Sequence, residues 1–490
     1  MSADDQAVGE PERLHPLFLL TGIGGALRGM AGGYAVIAYL AVSGRLGTAL
    51  IGAAALFAFL AAGLVLYWRR FEYRVGDTEI RIDSGIFSRT HRSIPFDRVQ
   101  DVDISQGPVA RLLGLAKVKF ETGASAGQDE GVLQAITLDR AEALRELVRT
   151  RRSGQSVATP DAQETERPSL YAMDLQRLLL AGLFNFSLAV FAVLFGLTQT
   201  MGDVIGFEPF SRSFWVSLLS ASDPIAQFVL ANQAVAALAG FVSLVLIGIA
   251  TGIVRTFLRD YQFRLDRTET GLRRRRGLMT LTDVTLPVRR AQAAIVGTGP
   301  VRDRFGWREL KLQSLARDEG GGGDHVLAPL ASDEETGTIL AALGWRPLAS
   351  RVDWNRVSRA YVWILTLAVI PLLLLALVQM LVFPVVGALL LVVLVGGVGV
   401  RWLAWHRTGY LLDSDRLLIR TGWWRRRTLV LPIRRIQSVD LTQNFISRWF
   451  GTASLAFGVA GGGGFSAHEI PALREEKARA LREQLISKLV

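Results

Sequence analysis

The side chains in this sequence that could bind a charged ligand are mainly arginines. Two runs occur, and the second follows a pair of tryptophans: Arg273, Arg274, Arg275 and Arg276, then Trp423, Trp424, Arg425, Arg426 and Arg427. The chain holds 55 Lys or Arg against 44 Asp or Glu, a net charge of +11. Guanidinium groups bind phosphate through several donors, so these runs are candidate sites for an anionic lipid or a partner protein. Nucleic acid is the competing partner of a basic chain. We rank it lower and expect no nucleic acid partner, because a bilayer-anchored domain already faces phosphate head groups.

A simpler interpretation of the same residues stays open. Arginines near anionic lipid can form a solvated basic face, each contributing roughly 1 kcal/mol to membrane attraction. The two tryptophans suit a membrane interface, but they could equally be core residues.

Nothing in the residue types and spacing indicates catalysis, a metal or a cofactor. The chain has no cysteine, and its five histidines are scattered. The glycine runs 320–323 and 461–464 are followed by neither Lys-Ser nor Lys-Thr, so they do not match a phosphate-binding loop. We therefore expect no enzymatic activity.

A repeat at fixed spacing must position the arginine runs. A glycine is followed after ten residues by proline, then by arginine, glutamine and a second glycine at three, five and nineteen residues past the proline. The three copies are Gly85, Pro95, Arg98, Gln100 and Gly114; Gly277, Pro287, Arg290, Gln292 and Gly306; Gly422, Pro432, Arg435, Gln437 and Gly451. Repeated spacing is typical of a repeated structural unit. The Arg/Gln pair could bind a ligand or satisfy backbone groups at a bend, and we favour the structural role.

Each copy indicates antiparallel strands followed by one helix. Residues 79–83 and 416–420 alternate as half-buried strands do. The first glycine suits a turn with positive φ, and the proline suits a strand end. Helices are predicted over 139–149, 333–343 and 473–489. Copy two departs from the pattern, because Ala291, Ala293 and Ala294 replace the usual alternation.

Hydrophobic runs precede each copy in pairs. About 20 apolar residues are needed to cross a bilayer. Six runs meet this length: 17–42, 48–68, 178–196, 228–254, 361–382 and 385–403. Arg28 interrupts the first run and could snorkel to the interface or lie in a groove lined by glycines.

Arginine placement predicts the orientation of these spans. Arg69, Arg70, Arg255, Arg259 and Arg407 follow the second member of a pair, whereas the loops within pairs carry less positive charge. By the positive-inside rule, both termini and all three copies are predicted to be cytoplasmic.

The repeat resembles the bacterial PH-like membrane-flanked domain family, including its members with several copies in one chain. The resemblance rests on the run from Arg98 through Gln100 to Gly114 and on the run from Arg435 through Gln437 to Gly451. It implies PH-like folds in the bacterial cytoplasmic membrane, and a complex with a shorter sister protein. Phosphoinositide-binding PH domains use spaced basic residues on an early hairpin, and an unbroken arginine run does not reproduce that spacing.

The expected architecture is an α+β membrane protein of three helical hairpins, each followed by a PH-like domain with a C-terminal helix. The expected segments are a tail (1–13), hairpin 1 (14–68), domain 1 (69–152), a linker (153–169), hairpin 2 (170–254), domain 2 (255–346), hairpin 3 (347–403) and domain 3 (404–490). The leading functional hypothesis is a membrane scaffold for a partner protein or anionic phospholipid, in envelope stress or resistance to membrane-active peptides. A lipid or small-solute transporter formed by the six helices is the alternative.

Overall fold

A computed structural model of the chain describes residues 10–29, 33, 36–37, 39–40, 43–86, 89–122, 131–153, 169–186, 216–217, 231–269, 271–314, 324–349, 352–460 and 468–489. The protein is α+β, with long apolar helices and antiparallel sheets. It divides into two compact units, which we describe separately. The first unit comprises 1–167, 172–264 and 274–285, and the second comprises 168–171, 265–273 and 286–490.

Helices of two kinds are present. The apolar ones are α1 (Phe18–Gly29), α2 (Leu46–Arg70), α5 (Leu175–Phe184), α6 (Gln233–Asp260), α9 (Ala360–Val382) and α10 (Pro384–Arg407). The others belong to the repeated domains: α3 (Pro108–Leu112), α4 (Leu138–Ser153), α7 (Pro300–Arg304), α8 (Asp333–Ala342), α11 (Phe445–Trp449) and α12 (Glu475–Leu489).

Four of the described helices are long and apolar enough to cross a membrane: α2, α6 over Leu238–Asp260, α9 and α10. This number is smaller than the six spans predicted from the sequence. The predicted first and third spans begin in α1 and α5 and continue over residues that lie largely outside the described ranges. The six-span prediction is therefore supported at four of its six positions.

Small residues bring the paired helices together. A Cβ added at Gly182 of α5 would lie 2.6 Å from the Cα of Ile253 in α6. Gly22 of α1 is similarly close to α2, where its Cβ would lie 3.0 Å from Leu64 Cδ2. Glycine at such positions allows close packing of membrane helices.

The first repeated domain has two antiparallel sheets and a capping helix. Its strands are β1 (Glu12–Arg13), β2 (Glu72–Val75), β3 (Glu79–Ser84), β4 (Thr90–Pro95), β5 (Val99–Gln106), β6 (Leu115–Thr122) and β7 (Val132–Thr137). One sheet has the order β1-β2-β3-β4. Ile80 and Ile82 of β3 are buried, as their alternation predicts, and they share a core with Leu144 of α4.

The other two domains repeat this order. The strands that follow are β8 (Tyr171–Ala172), β9 (Arg264–Arg267), β10 (Gly271–Arg276), β11 (Leu281–Pro287), β12 (Ala291–Thr298), β13 (Arg308–Ser314) and β14 (Asp324–Ala331). The last are β15 (Asn355–Arg356), β16 (Gly409–Leu412), β17 (Arg416–Thr421), β18 (Arg426–Pro432), β19 (Ile436–Thr442), β20 (Thr452–Val459) and β21 (His468–Arg474).

Strands of successive domains pair with each other. In the first unit, β5 of domain 1 pairs antiparallel with β11 of domain 2, and we call this pairing the first joint. In the second unit, β12 of domain 2 pairs antiparallel with β18 of domain 3, forming the second joint. The second joint lies in the middle of a seven-stranded sheet of order β14-β13-β12-β18-β17-β16-β15. Each joint thus merges the second sheet of one domain with strands from the first sheet of the next domain.

Candidate membrane and partner interface

The first glycine of each repeat makes a tight turn that only glycine fits easily. Gly85, Gly277 and Gly422 have φ of +114°, +114° and +107°. A Cβ at Gly277 would lie 1.9 Å from the carbonyl oxygen of Thr280. L-residues rarely adopt such a backbone conformation, so the sequence must place glycine here. The second glycines, Gly114, Gly306 and Gly451, also have positive φ.

This turn is held at the C-terminal end of a long apolar helix. The amide of Gly277 donates to the carbonyl of Tyr261 at 2.9 Å, one residue past the end of α6. In domain 3, the guanidinium of Arg407, the last residue of α10, donates to the carbonyl of Trp423. Arg70 of α2 makes the same kind of bond to the carbonyl of Ile86. The turns therefore lie where each helix leaves the apolar region.

The arginine run of domain 2 does not form one exposed basic patch, contrary to the sequence-based interpretation. Arg274 is fully buried, and Arg276 Nη1 lies 3.2 Å from Oδ1 of the buried Asp260. Arg273 is half-buried, which leaves Arg275 as the exposed member of the run. The run occupies strand β10, whose side chains alternate between faces, so four consecutive arginines cannot all face solvent.

The second run is arranged differently, because it belongs to the turn rather than to a strand centre. Trp423 and Trp424 are 44 % and 54 % exposed, so they are surface residues and not core residues. Arg425 and Arg427 are also exposed, whereas Arg426 forms an ion pair with Asp303 of domain 2. We call Trp423, Trp424 and Arg425 the aromatic turn.

A short helix in each domain carries further exposed apolar side chains. Leu112 at the end of α3 is 88 % exposed, and Phe445 and Trp449 of α11 are 82 % and 81 % exposed. The helix α3 contacts α1, and α11 contacts α9, so both short helices lie beside apolar helices. Sequence reasoning missed these residues. The available signal was the position two residues before the second repeat glycine, where Leu112 and Trp449 both stand.

The repeated arginine and glutamine have different surroundings in the three domains. Arg98 is exposed and Arg290 is buried, whereas Arg435 is half-buried. Burial, followed by the neighbouring Arg434 charge, lowers the pKa of Arg435. These side chains do not form three equivalent ligand sites.

The glutamines differ in the same way. Gln292 is buried, and its Nε2 donates to the carbonyl of Arg290 at 3.1 Å. Gln437 is exposed, and the side chain of Gln100 lies outside the described part of the structure, as does that of Arg28 within α1.

The two joints have the same register when residues are counted from the repeat proline. In the first joint Leu281, six before Pro287, faces Gln106, eleven after Pro95. In the second joint Val430, two before its proline, faces Ala294, seven after its own. In both facing pairs, the residue after its proline is five positions farther from that proline than its partner is from the proline of the next domain. The joints are therefore two copies of one interface.

Arg145 of α4 fastens the first joint. Its Nε donates to the carbonyl of Val102 at 3.1 Å, within its own domain. Its Nη1 and Nη2 donate to the side chain and the carbonyl of Asp283 in the next domain, both at 3.1 Å. One guanidinium thus holds both strands of the pair.

Strand β5 also carries an acidic group in an unusual state. Burial raises the pKa of Asp103 well above its ordinary value, and the nearby Asp101 and Glu121 carboxylates raise it further. The charged carboxylate is thus less favourable here than in an exposed aspartate. In domain 3, burial lowers the pKa of His468, whose Nε2 lies 2.6 Å from Gln313 Oε1. Among the residues that the structure describes, no group of three or more His, Asp or Glu could hold a metal ion.

Comparison with known proteins identifies one family. The model of the bacterial PH domain matches residues 18–152, 225–345 and 362–489. The UPF0699 transmembrane protein YdbT of Bacillus subtilis (strain 168) is 25% identical over 415 residues, which is 80% of each chain.

A second relative is shorter. The UPF0699 transmembrane protein YdbS of the same organism is 40% identical over 81 residues, which cover 16% of this chain and 46% of YdbS. No solved structure matches the chain.

Proposed function

Since the chain belongs to the bacterial PH domain family, with three copies carried by apolar helices, we propose that it is a non-enzymatic scaffold of the bacterial cytoplasmic membrane. Its three domains would lie on the cytoplasmic leaflet and bind anionic phospholipid and a partner protein. Envelope stress or resistance to membrane-active peptides is the setting that we propose for this activity.

The observation that carries this proposal is the aromatic turn. Trp423, Trp424 and Arg425 are exposed together, and Arg407, the last residue of α10, donates to the carbonyl of Trp423. Tryptophan prefers the interface between hydrocarbon and water, and an arginine beside it can pair with a lipid phosphate. The exposed Phe445 and Trp449 of the same domain add further apolar surface.

Orientation and partner follow from the charges and the relatives. Basic residues close to the ends of α2, α6 and α10 support a cytoplasmic location of the domains. The similarity of part of the chain to the shorter YdbS supports a sister protein as one partner.

Lipid binding is tested by the thermal stability of the full chain in mild detergent. Phosphatidylglycerol should raise Tm more than phosphatidylcholine, because a ligand that binds the folded state stabilises it. The triple variant Trp423→Ala, Trp424→Ala, Arg425→Glu should lose most of this difference. Arg479→Glu is the matched control, since Arg479 is an exposed arginine on α12 that pairs with Glu475. Equal stabilisation of the triple variant and the wild type would reject the aromatic turn as a lipid site.

A transporter remains the second candidate because the described helices contain a polar pair. Asn185 Nδ2 at the end of α5 donates to Thr256 Oγ1 of α6 at 3.1 Å. The pair also suits a simple tie between two helices. Movement of labelled lipid across proteoliposomes that contain the chain would overturn the scaffold proposal in favour of transport.

A further inference from the structure

Among the described strands, the two joints leave two strand edges that have no equivalent pairing, one in domain 1 and one in domain 3. Both joints pair the strand after the repeat proline, β5 or β12, with the strand before the proline of the next domain, β11 or β18. The equivalent strands at the ends are β4 in domain 1 and β19 in domain 3. Within the described residues, β4 is the last strand of its sheet and β19 the first of its own.

The side chains of β19 are exposed where those of β12 are covered. Gln292 and Ala293 of β12 are buried next to the second joint, whose paired residues begin at Ala294. Their equivalents in β19, Gln437 and Ser438, are exposed, and so is Asp440. An edge strand offers unpaired backbone donors and acceptors to another strand.

Domain 3 also has an arginine equivalent to Arg145, which bridges the two strands of the first joint. Arg482 lies fifty residues after Pro432, as Arg145 lies fifty after Pro95. Its Nε donates to the carbonyl of Val439 at 3.3 Å, the same bond that Arg145 makes to Val102. In the first joint, Nη1 and Nη2 of Arg145 donate to Asp283 of the next domain. In domain 3, no described group accepts a hydrogen bond from Nη1 or Nη2 of Arg482. The guanidinium is placed for a strand that the described part of the chain does not supply.

We propose that β19 of one chain pairs with β4 of a second copy of this chain, as a third joint in the register of the first two. This assembly deepens the proposed scaffold function and rests on it, because it makes another copy of the chain one of the scaffold's partners. The offset of five residues places Asp440 opposite Arg92 and Thr442 opposite Thr90. Opposite charges face each other, which stabilises a cross-strand pair.

The interface is heterologous, so each chain uses one edge and leaves the other edge for the next chain. Such contacts build rings or open rows. The first joint links two domains that each follow a helix pair in the same membrane. A third joint of the same geometry would therefore place the second copy in that membrane too.

Cross-linking tests the register directly, because the chain contains no cysteine. Two full-length chains with different tags are co-expressed in membranes, one with Thr90→Cys and the other with Thr442→Cys. Facing Cα atoms in a sheet lie within the range that a disulfide spans. We expect a disulfide-linked heterodimer. Thr90→Cys with Ser438→Cys should give none, because the site is displaced by four residues, roughly 13 Å along the strand.

A charge exchange separates this strand pairing from random collision. Asp440→Arg alone and Arg92→Asp alone should each reduce the cross-link, and both changes together in every chain should restore it. No cross-link at either cysteine pair, or equal cross-linking at both, would overturn the proposal. Cross-linking of Thr442→Cys to a different membrane protein would also overturn it and would assign this edge to a sister protein. The lipid-dependent Tm of the same chains reports separately on the proposed scaffold function.

Discussion

Replacing Arg145 with alanine should weaken the first joint without unfolding domain 1. The variant loses two charge-assisted hydrogen bonds to Asp283 and one to the carbonyl of Val102. Charge-assisted hydrogen bonds contribute about 1.5 kcal/mol or more each. The side chains of Arg145 and Asp283 are 22% and 13% exposed, so water replaces little of what is lost. Only the two bonds to Asp283 cross the joint, so we expect the free energy of opening the joint to fall by about 2–3 kcal/mol.

Hydrogen exchange of the amides in β11 measures this opening. When local opening limits exchange, protection factors follow the free energy of opening. A change of about 2–3 kcal/mol corresponds to roughly 30- to 150-fold faster exchange of the amides that pair with β5. Exchange in β6, which belongs to the core of domain 1, should change little.

Two matched variants make this prediction specific. Arg149→Ala removes an arginine of the same helix whose side chain is 70% exposed and lies 3.9 Å from the Glu146 carboxylate. Hydrogen exchange in β11 should therefore be unchanged in this variant. Arg145→Lys keeps the charge but not the fork of donors, so its exchange rate in β11 should lie between those of Arg145→Ala and Arg149→Ala. If Arg145→Ala and Arg149→Ala gave the same exchange in β11, the proposed role of the guanidinium in holding the joint would be refuted.

Three further predictions concern the stability of the chain. Asp103→Asn should raise Tm at pH 8 and have little effect near pH 4: the folded carboxyl has a raised pKa, so the wild type loses stability as pH rises above about 4. Gly422→Ala should lower stability by about 1–3 kcal/mol in denaturation, because its Cβ would lie 2.0 Å from the carbonyl oxygen of Arg425 at φ +107°, whereas Gly396→Ala, with open space around it, should not. Gly252→Leu should weaken the packing of α5 on α6, because even a Cβ at this position would lie 2.6 Å from the carbonyl oxygen of Asn185. A disulfide engineered between α5 and α6 that forms as efficiently as without the substitution would contradict this prediction.

The sequence was sufficient for the local structure of each domain. The repeat spacing located the turns at Gly277 and Gly422, and the alternation in β3 located buried Ile80 and Ile82. These features depend on residues close together in the chain, so periodicity and glycine chemistry are enough to predict them.

The joints were not predicted, because strand partners are set by long-range contacts that periodicity does not encode. One signal was present. Ala291, Ala293 and Ala294 break the alternation of β12, and all three are buried, since this strand lies in the middle of a seven-stranded sheet.

The arginine run of β10 shows the opposite error. Its composition indicated a basic surface, but Arg274 is buried and Arg276 pairs with Asp260, so little of that surface is present.

The first joint also has a consequence for how the chain is made. On the ribosome, β5 is complete well before its partner β11, because the second helix pair is translated between them. During that interval β5 presents an open edge, the kind of surface that promotes aggregation and that chaperones cover. A nascent chain that stops after α6 would keep this edge permanently. We expect such truncated chains to aggregate or to be degraded, even though every residue of domain 1 is present.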